Sequence, residues 1–465
     1  MSSTIIAVLL CVLALANGNY FGTSTKNRDQ CFCKLKGSID DCSCSVDTVD
    51  YFNNMKIYPR LQSLLVRDYF RFYKVNLTQQ CPFWVDDSKC AMRYCHIQRC
   101  QDKDIPDGLK GDIPRHSYLT EKPVDKYTSE FQTSSCEEAA RDHNEELGFL
   151  NTTISSETYK DLQRWQQYDD AQDNFCIMET SPGEYVDLLL NPERYTGYKG
   201  PSAHRIWRSI YMENCFRPEK SPHNFIQSSK VNGMCLEKRA FYRVISGLHA
   251  SINIHLCAKY LLSSPDSLEV VSTNGQWGRN LQELVRRFSP EETGNEGPNW
   301  LKNLYFIYLL ELRALDKASP YLENEEYYTG NESEDADTRM AIKDILSVVR
   351  SFSDHFNESV MFNGGAQSQL LKEEFRQHFR NISRIMDCVG CDKCKLWGKL
   401  QIQGLGTALK ILFSGKFDKW EPTVKHPFDR KQFFLERSEI VALVNGFGRL
   451  SESVFELDKF RQIMR

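Results

Sequence analysis

The chain has 465 residues, a formal net charge of −4 and 41% hydrophobic residues. This length allows one large domain or two to three smaller ones, with enough apolar side chains to bury a core. The slightly acidic balance and the lack of long Lys/Arg runs argue against a nucleic-acid-binding function.

The first 18 residues have the pattern of a secretory signal peptide. Ile5–Ala16 is apolar but too short to span a bilayer, and a small-residue cleavage site follows it. The most apolar later stretch, 299–315, is not expected to span a membrane because charged residues interrupt it, namely Lys302, Glu311 and Arg313. The last residues, 461–465, contain no Lys-Asp-Glu-Leu-type signal, so we expect retention through a retained partner.

The cysteine content indicates an oxidising compartment. Of the 17 cysteines, Cys11 lies in the signal peptide, and the even number that remains favours disulfides. A chain of this length does not need so many cysteines to fold, so we infer that some of them carry chemistry. Five Asn-x-Ser/Thr motifs predict a glycosylated luminal protein, at Asn76, Asn151, Asn331, Asn357 and Asn381.

Near the start of the mature chain, four cysteines predict a small stapled hairpin. Their spacing favours the nested bridges Cys31–Cys44 and Cys33–Cys42, and a four-cysteine zinc site is the alternative. Further along, polar residues with several Pro and Gly predict a mobile loop over about 86–135.

Most of the remaining chain has apolar residues at helical spacing, and strand patterns are few. A second loop, rich in Glu and Asp, is predicted over about 323–337. We therefore predict a mainly α fold in which residues 19–465 form a single helical domain. The predicted helices begin at Pro59 and then cover Arg205–Glu213, Lys238–Leu262, Leu281–Phe288, Asn299–Leu315, Arg339–Phe352, Gln367–Met386, Lys395–Phe413 and Ser438–Met464.

Cys388, Cys391 and Cys394 form two overlapping Cys-x-x-Cys pairs directly before a helical pattern. Three residues span about 5 Å between Cα atoms in a helical turn, which is within disulfide range. The free N–H groups at a helix start lower the pKa of a thiol and make it reactive. This stretch is therefore either a redox dithiol or a set of metal ligands.

A second close pair, Cys90 and Cys95, lies on the first predicted loop. A disulfide in an exposed loop is open to attack by the thiolate of another protein, although a purely structural disulfide fits the spacing equally well. Cys100 follows at the same spacing and offers Cys95 a second partner. One pair on a loop and one at a helix start suggest a thiol–disulfide relay, for which a flavin is a suitable electron acceptor.

The sequence lacks the usual dinucleotide-binding fingerprint. The motif at 404–409 begins as Gly-x-Gly, but Leu409 fills the third glycine position, so we expect it to serve helix–helix packing. Arg194, Thr196 and Tyr198 would share one face of an extended segment and would suit a pyrophosphate and a ring. An ordinary surface loop is the alternative for that segment.

Four stretches carry a family resemblance: Cys-x4-Cys at Cys90 and Cys95, residues 185–201, residues 247–252, and the Cys-rich stretch from Cys388 to Ala408. Together they resemble the endoplasmic reticulum oxidoreductins, which are flavin-dependent thiol oxidases that reoxidise protein disulfide isomerase. The resemblance covers essentially the whole mature chain.

The resemblance implies a central helix bundle that grips FAD non-covalently. The family often has an additional arginine thirteen residues beyond Arg287, where this chain has Trp300. From its spacing alone, His249 is as well explained as a packing histidine that faces the same way as Ser246. The FAD contacts that the resemblance implies are Arg194, Thr196, Tyr198, Trp207, Ser246, His249 and Arg287.

The resemblance also implies roles for most cysteines. It makes Cys90–Cys95 a shuttle disulfide on the loop and Cys391–Cys394 an inner disulfide near the flavin. An inhibitory arrangement of animal members would pair Cys90 with Cys136 and Cys95 with Cys100. Cys176 and Cys257 are expected to be thiols. The implied structural bridges are Cys31–Cys44, Cys33–Cys42, Cys81–Cys388 and Cys215–Cys235.

We therefore expect an FAD-dependent sulfhydryl oxidase of the endoplasmic reticulum lumen. Its partners would be protein disulfide isomerase and molecular oxygen, its product would be hydrogen peroxide, and no resident metal is expected. We expect a monomer with at most peripheral membrane association. The alternatives are a disulfide-rich secreted glycoprotein without enzyme activity, and a protein that binds metal through Cys388, Cys391 and Cys394.

Overall fold

A computed structural model describes residues 46–84, 95–110, 174–176, 183–193, 200–216, 235–262, 276–352, 357–363, 366–415, 417 and 433–464. Several sequence predictions lie outside these residues and stay predictions. They concern the signal peptide, Cys31, Cys33, Cys42, Cys44, Cys90, Cys136, Asn151, Arg194, Thr196 and Tyr198.

Helices dominate the described residues, which confirms the mainly α fold. A π-helical turn, Asn53–Ile57, joins the first two helices. The elements of the first half are α1 (Val46–Phe52), α2 (Tyr58–Leu65), α3 (Asp68–Arg71), β1 (Phe72–Val75), α4 (Asp107–Lys110), β2 (Glu184–Asp187), α5 (Gly200–Glu213), α6 (Leu236–Ala258) and β3 (Tyr260–Leu262).

The second half is almost entirely helical where the structure describes it. Short 3₁₀ turns precede α11 and α12, at Glu358–Val360 and Met386–Cys388. The elements are β4 (Gln276–Gly278), α7 (Leu281–Phe288), α8 (Pro290–Thr293), α9 (Gly297–Glu323), α10 (Glu332–Arg350), α11 (Ala366–Ile385), α12 (Asp392–Phe413) and α13 (Arg437–Met464).

Four long helices, α6, α9, α12 and α13, form the central bundle around one hydrophobic core. Glycines allow the closest approaches in it. A Cβ at Gly404 would lie 2.3 Å from the Ala442 carbonyl oxygen, and a Cβ at Gly247 would lie 2.3 Å from the Asn303 carbonyl oxygen. The expected packing role of the Gly-x-Gly motif is thus confirmed for Gly404, which joins α12 to α13.

Two small antiparallel sheets flank the bundle in the described part of the chain. In the sheet that matters for the site, β1 pairs with β2, with Phe72 opposite Asp187. Arg99 forms an isolated antiparallel bridge with Val186, so the residues after Cys95 run beside the free edge of β2. The other sheet pairs β3 with β4.

A buried polar triad joins α1, α9 and α13. The Arg461 guanidinium forms an ion pair with the Asp50 carboxylate, and its second amino group donates to the Tyr305 hydroxyl at 2.9 Å. The Tyr305 hydroxyl in turn donates to Asp50. Because all three side chains are buried, each group depends on the others to offset its loss of hydration.

The acidic loop predicted over 323–337 is shorter than expected, because α10 already begins at Glu332. The Asn331 side chain caps this helix by accepting from the N–H groups of Ser333 and Glu334. Acidic residues in the first turn of a helix interact favourably with its dipole. The acidic composition therefore marks a helix start as well as a loop.

The residues that follow Cys100 were predicted to form a polar loop, but two of their apolar side chains are buried. Ile105 and Leu109 are buried in a small cluster with Phe72 of β1. Within the described ranges, no helix is both long enough and apolar enough to cross a bilayer, and α9, which contains the apolar 299–315 stretch, is part of the bundle.

Replacing Arg461 with Met should lower the free energy of unfolding by about 3–5 kcal/mol, because it leaves the Asp50 carboxylate buried without its cation. Urea unfolding followed by circular dichroism measures the loss. Lys459→Met is the control on the same helix, since Lys459 hydrogen-bonds the exposed Gln462 and lies over the half-buried Phe455 ring, and should cost less than about 0.5 kcal/mol. Equal losses in the two variants would contradict the role of the triad.

Candidate redox site and cofactor pocket

The inner cysteine pair lies at the start of α12, as its spacing predicted. Cys391 and Cys394 form a disulfide with a Cα–Cα distance of 5.1 Å. Cys391 is the N-cap residue, and its sulfur accepts from the Cys394 N–H at 3.4 Å. Cys394 is the deeper of the two, with 0% of its surface exposed against 3% for Cys391.

A long-range disulfide anchors the segment that follows β1 to the start of α12. Cys81 bonds to the buried Cys388 across 307 residues, which forms the bridge that the resemblance implied. Two lysines of α12 strengthen the attachment. The Lys395 ammonium donates to the carbonyls of Leu77 and Gln79, and the Lys399 ammonium donates to the Asn76 carbonyl.

Cys95, one of the two cysteines of the predicted shuttle pair, packs against the inner disulfide. Its side chain is buried in a cluster with Cys391, Cys394 and Val389. Cys95 is itself disulfide-bonded. It is not bonded to Cys100, which is a free thiol in this structure. The structure therefore holds a second disulfide directly beside the inner one.

Cys100 lies at the other end of this segment, beside β2. Its N–H donates to the Tyr185 carbonyl at 3.3 Å. Burial, together with the nearby Asp187 carboxylate, raises the pKa of the Cys100 thiol. A raised pKa keeps this thiol protonated and slows its attack on a disulfide.

Trp207 of α5 and His249 of α6 form the aromatic part of the predicted cofactor pocket. Their rings stack with centroids 3.7 Å apart and planes 16° apart. The Tyr211 hydroxyl lies 3.1 Å from His249 Nδ1. Burial, and the Arg287 guanidinium nearby, lower the pKa of His249 to about 3, so the imidazole is neutral at physiological pH.

Ser246 and Arg287 are the other two predicted FAD contacts among the described residues. The Ser246 hydroxyl accepts from the Asn303 amide at 3.0 Å, which connects α6 to α9. Arg287 of α7 donates to Asn253 at 2.7 Å and also pairs with the Glu283 carboxylate. Its guanidinium is therefore held in a fixed orientation near His249.

Trp300, which replaces the arginine frequent in the family, belongs to the same neighbourhood. The Trp300 and Ser246 side chains both lie close to the Tyr242 hydroxyl. An indole at this position adds an aromatic surface and no charge, so Arg287 supplies the cationic character among the described residues of the pocket.

The described pocket residues fit a flavin dinucleotide. An indole and a neutral imidazole offer flat faces for a planar ring, the Ser246 hydroxyl and His249 offer hydrogen bonds, and Arg287 offers positive charge for a phosphate. FAD would supply a two-electron acceptor for a dithiol.

Sequence reasoning missed the residues that support this pocket. Tyr211 lies one helical turn after Trp207, and Asn253 lies one turn after His249, so helical spacing could have indicated both. Asn303 lies on a different helix, and nothing in the sequence connects it to Ser246.

The bridge implied between Cys215 and Cys235 is not formed in the structure, where both residues are free thiols. Cys215 is buried after the end of α5, whereas Cys235 is exposed at the start of α6. Burial raises the pKa of Cys215 well above its usual range. The two sulfurs therefore occupy different environments, which corrects the expectation.

Cys176 is a free thiol, as expected, and its sulfur donates to the Ile402 carbonyl at 3.4 Å. Cys257 is fully buried in the core. Two predicted glycosylation sites, Asn331 and Asn357, are exposed, whereas Asn76 and Asn381 are buried. Glycosylation of all these residues stays a prediction.

The metal-binding alternative loses its ligands in this structure. Cys388 is bonded to Cys81, and Cys391 is bonded to Cys394, so none of the three sulfurs is a thiolate. A metal site would require two disulfides to be reduced first.

Comparison with known proteins identifies the family. The family model for Endoplasmic Reticulum Oxidoreductin 1 (ERO1) matches residues 56–457. The "Ero1-like protein" of Drosophila melanogaster is 53% identical over 480 aligned positions, which cover 100% of this chain and 98% of that protein. The human "ERO1-like protein alpha" is 48% identical, over 94% of this chain and 92% of that protein.

Solved structures agree with this result. The chain matches the "Structure of Ero1p, Source of Disulfide Bonds for Oxidative Protein Folding in the Cell" with a TM-score of 0.58 and 26% identity, over 90% of this chain and 97% of that one. With a family match across most of its length, the chain belongs to the Endoplasmic Reticulum Oxidoreductin 1 family of thiol oxidoreductases that support oxidative protein folding.

Proposed function

We propose that this chain is an FAD-dependent sulfhydryl oxidase of the endoplasmic reticulum lumen that reoxidises protein disulfide isomerase and uses oxygen as the final acceptor. The observation that carries the proposal is the packing of the disulfide-bonded Cys95 on the Cys391–Cys394 disulfide. Sulfurs in contact can exchange disulfides without a diffusing carrier.

The proposed relay starts when an isomerase thiolate attacks the Cys90–Cys95 disulfide and a second isomerase thiol resolves the mixed disulfide. The isomerase leaves oxidised, and the shuttle pair gains two electrons and two protons. The Cys95 thiolate then attacks Cys391, a Cys95–Cys391 bond forms, and Cys394 leaves as a thiolate. Attack by Cys90 on Cys95 restores the shuttle disulfide and leaves Cys391 and Cys394 reduced.

The fold favours Cys394 as the group that faces the cofactor. It is the deeper sulfur of the pair, and it lies in the first turn of α12, where the helix dipole favours a negative charge. We propose that Arg194 and Arg287 bind the phosphates, that Trp207 packs against a ring, and that Thr196, Tyr198, Ser246 and His249 hold the remaining groups. When bound, FAD accepts the electron pair and passes it to oxygen, which yields hydrogen peroxide.

The first test is the cofactor itself. Purified protein should be yellow and should release FAD on denaturation, because the pocket offers stacking faces and a cation. Absorption spectra and chromatography of the released ligand measure this. Arg287→Gln should lower the flavin content, while Arg286→Gln, a control whose side chain is 64% exposed, should not. A folded, colourless protein that FAD cannot reconstitute would exclude the proposed oxidase.

The second test separates the two cysteine pairs. Cys394→Ala should abolish flavin reduction by any thiol, because it removes the last sulfur of the relay. Cys95→Ala should abolish reduction by the isomerase but leave slow reduction by dithiothreitol, which reaches the inner pair directly. Stopped-flow absorbance follows both reactions.

Cys235→Ala is the matched control for these variants, because Cys235 is an exposed free thiol outside the relay, and it should behave as wild type. The shuttle assignment is wrong if Cys95→Ala oxidises the isomerase at the normal rate.

We further propose that pairing of Cys90 with Cys136 and of Cys95 with Cys100 switches the enzyme off, since it removes the shuttle disulfide. The free Cys100 thiol within the same short segment as Cys95 supports this proposal. Combined Cys100→Ala and Cys136→Ala substitution should remove any lag in oxygen consumption, as an oxygen electrode would record. An unchanged lag would rule out the switch.

A further inference from the structure

Asn191, two residues before the buried Glu193, holds the segment that carries Cys95. Its side chain forms a two-point contact with the main chain of Gln98: Oδ1 accepts from the Gln98 N–H at 2.7 Å, and Nδ2 donates to the Gln98 carbonyl at 2.8 Å. An amide that pairs with both groups of one residue imitates a neighbouring β-strand. Asn191 is completely buried, so water does not compete for these bonds.

The same residue is tied to the helix of the inner disulfide. Its carbonyl accepts from the Trp397 indole N–H at 2.8 Å, and Trp397 lies one turn after Cys394 on α12. Trp397 is held in turn by the Arg449 guanidinium, 5.2 Å from its ring, and Arg449 pairs with the buried Glu193 at 2.7 Å. Asn191 therefore links the main chain near Cys95 to a rigid part of the bundle.

Residues 95–100, which we call the shuttle segment, make further contacts with β2. Asn191 Nδ2 also donates to the Asp187 carbonyl at 3.0 Å, which fixes the amide at the end of β2. Arg99 forms its bridge with Val186, and the Cys100 N–H donates to Tyr185. The shuttle segment thus has Cys95 at the inner disulfide, Gln98 on Asn191, and Cys100 on β2.

This docked arrangement opposes the bond between Cys95 and Cys100. Cys95 packs in the cluster of the inner disulfide, whereas Cys100 packs against a different cluster, around Phe72. A disulfide requires Cα atoms within about 7 Å, so closing it would draw these two ends of the segment together. The contacts of Gln98, Arg99 and Cys100 hold the middle and the far end against β2 and Asn191. Breaking them would deprive the buried Asn191 amide of both Gln98 partners and leave its oxygen without a donor, which is costly.

We propose that Asn191 is a positioning residue that docks the shuttle segment on the inner disulfide and thereby favours transfer from Cys95 to Cys391 over Cys95–Cys100 pairing. The proposal deepens the proposed oxidase function and depends on it for the transfer step. The docking itself is a property of the fold and can be measured without turnover.

Amide hydrogen exchange tests the docking directly. In Asn191→Ala, the N–H groups of Gln98 and Cys100 should exchange about tenfold faster or more, because the segment loses its two-point contact. Asn191→Asp keeps the size and the acceptor but replaces the donor with a carboxylate oxygen that faces the Gln98 carbonyl, and should also speed exchange. This second variant keeps the test valid if Asn191→Ala fails to fold.

Two controls separate docking from general destabilisation. Gln98→Ala removes an exposed side chain and leaves the main-chain contact intact, so exchange should not change. Asn445→Ala removes another buried asparagine that donates to two main-chain carbonyls, of Phe70 and Val441, but lies away from the shuttle segment. It should lower global stability without specific effects at Gln98 and Cys100.

The chemical consequence is measured with the holoenzyme. In glutathione buffers of defined potential, thiol trapping and peptide mapping should find several-fold more Cys95–Cys100 disulfide in Asn191→Ala than in wild type or Asn445→Ala. With reduced isomerase, kcat should fall about tenfold while KM stays unchanged, and the rate with dithiothreitol should be retained.

The outcomes distinguish the two claims. Unchanged exchange at Gln98 in both Asn191 variants, or unchanged Cys95–Cys100 pairing, overturns the role of Asn191 even if the protein is an active oxidase. Faster exchange in a protein without oxidase activity supports the docking and overturns only the proposed function.

Discussion

The Cys81–Cys388 disulfide is the constraint on which the redox site depends. It closes a loop of about 300 residues, and the chain-entropy model assigns such a bridge roughly 6 kcal/mol of stabilisation relative to the open chain. Cys388 lies three residues before Cys391 in the sequence. The bridge joins it to Cys81, in the segment that follows β1 and precedes Cys95. The inner disulfide and the chain that precedes Cys95 are therefore anchored to the same covalent bridge.

Burial has different consequences for the lysines beside the inner disulfide and for His249. Lys395 and Lys399 extend from α12 to main-chain carbonyls between Asn76 and Gln79, so one buried and one half-buried ammonium group help hold the chain before Cys81. Charge-assisted hydrogen bonds of this type are stronger than neutral ones. In the proposed cofactor pocket, by contrast, burial keeps His249 neutral, and an uncharged imidazole can face an aromatic ring without a large loss of hydration.

Local patterns in the sequence predicted the helices and the inner disulfide, because both depend on residues close along the chain. Leu281–Phe288 was predicted with the observed bounds, and the Cys391–Cys394 pair sits at a helix start as expected. The contacts of Asn191 with Gln98 and Trp397 join segments about 90 and 200 residues apart, so no local pattern shows them. The same limit applies to the thiols Cys215 and Cys235, whose separate environments arise only from packing.

The two sides of the relay are held by interactions of different strength. The inner pair is fixed by a covalent bridge, by the start of a long helix and by two lysines of α12. The shuttle segment beyond Cys95 is held by weaker contacts: its main chain hydrogen-bonds Asn191 and β2, Arg99 forms an exposed ion pair with Glu184, and Ile97 packs against the core. Each such bond contributes only about 1 kcal/mol net. A few bonds of this strength can hold Cys95 beside Cys391 and still release it at thermal energies. The proposed shuttle must also reach a partner protein, and permanent docking would prevent that contact. The proposed role therefore requires contacts of this moderate strength.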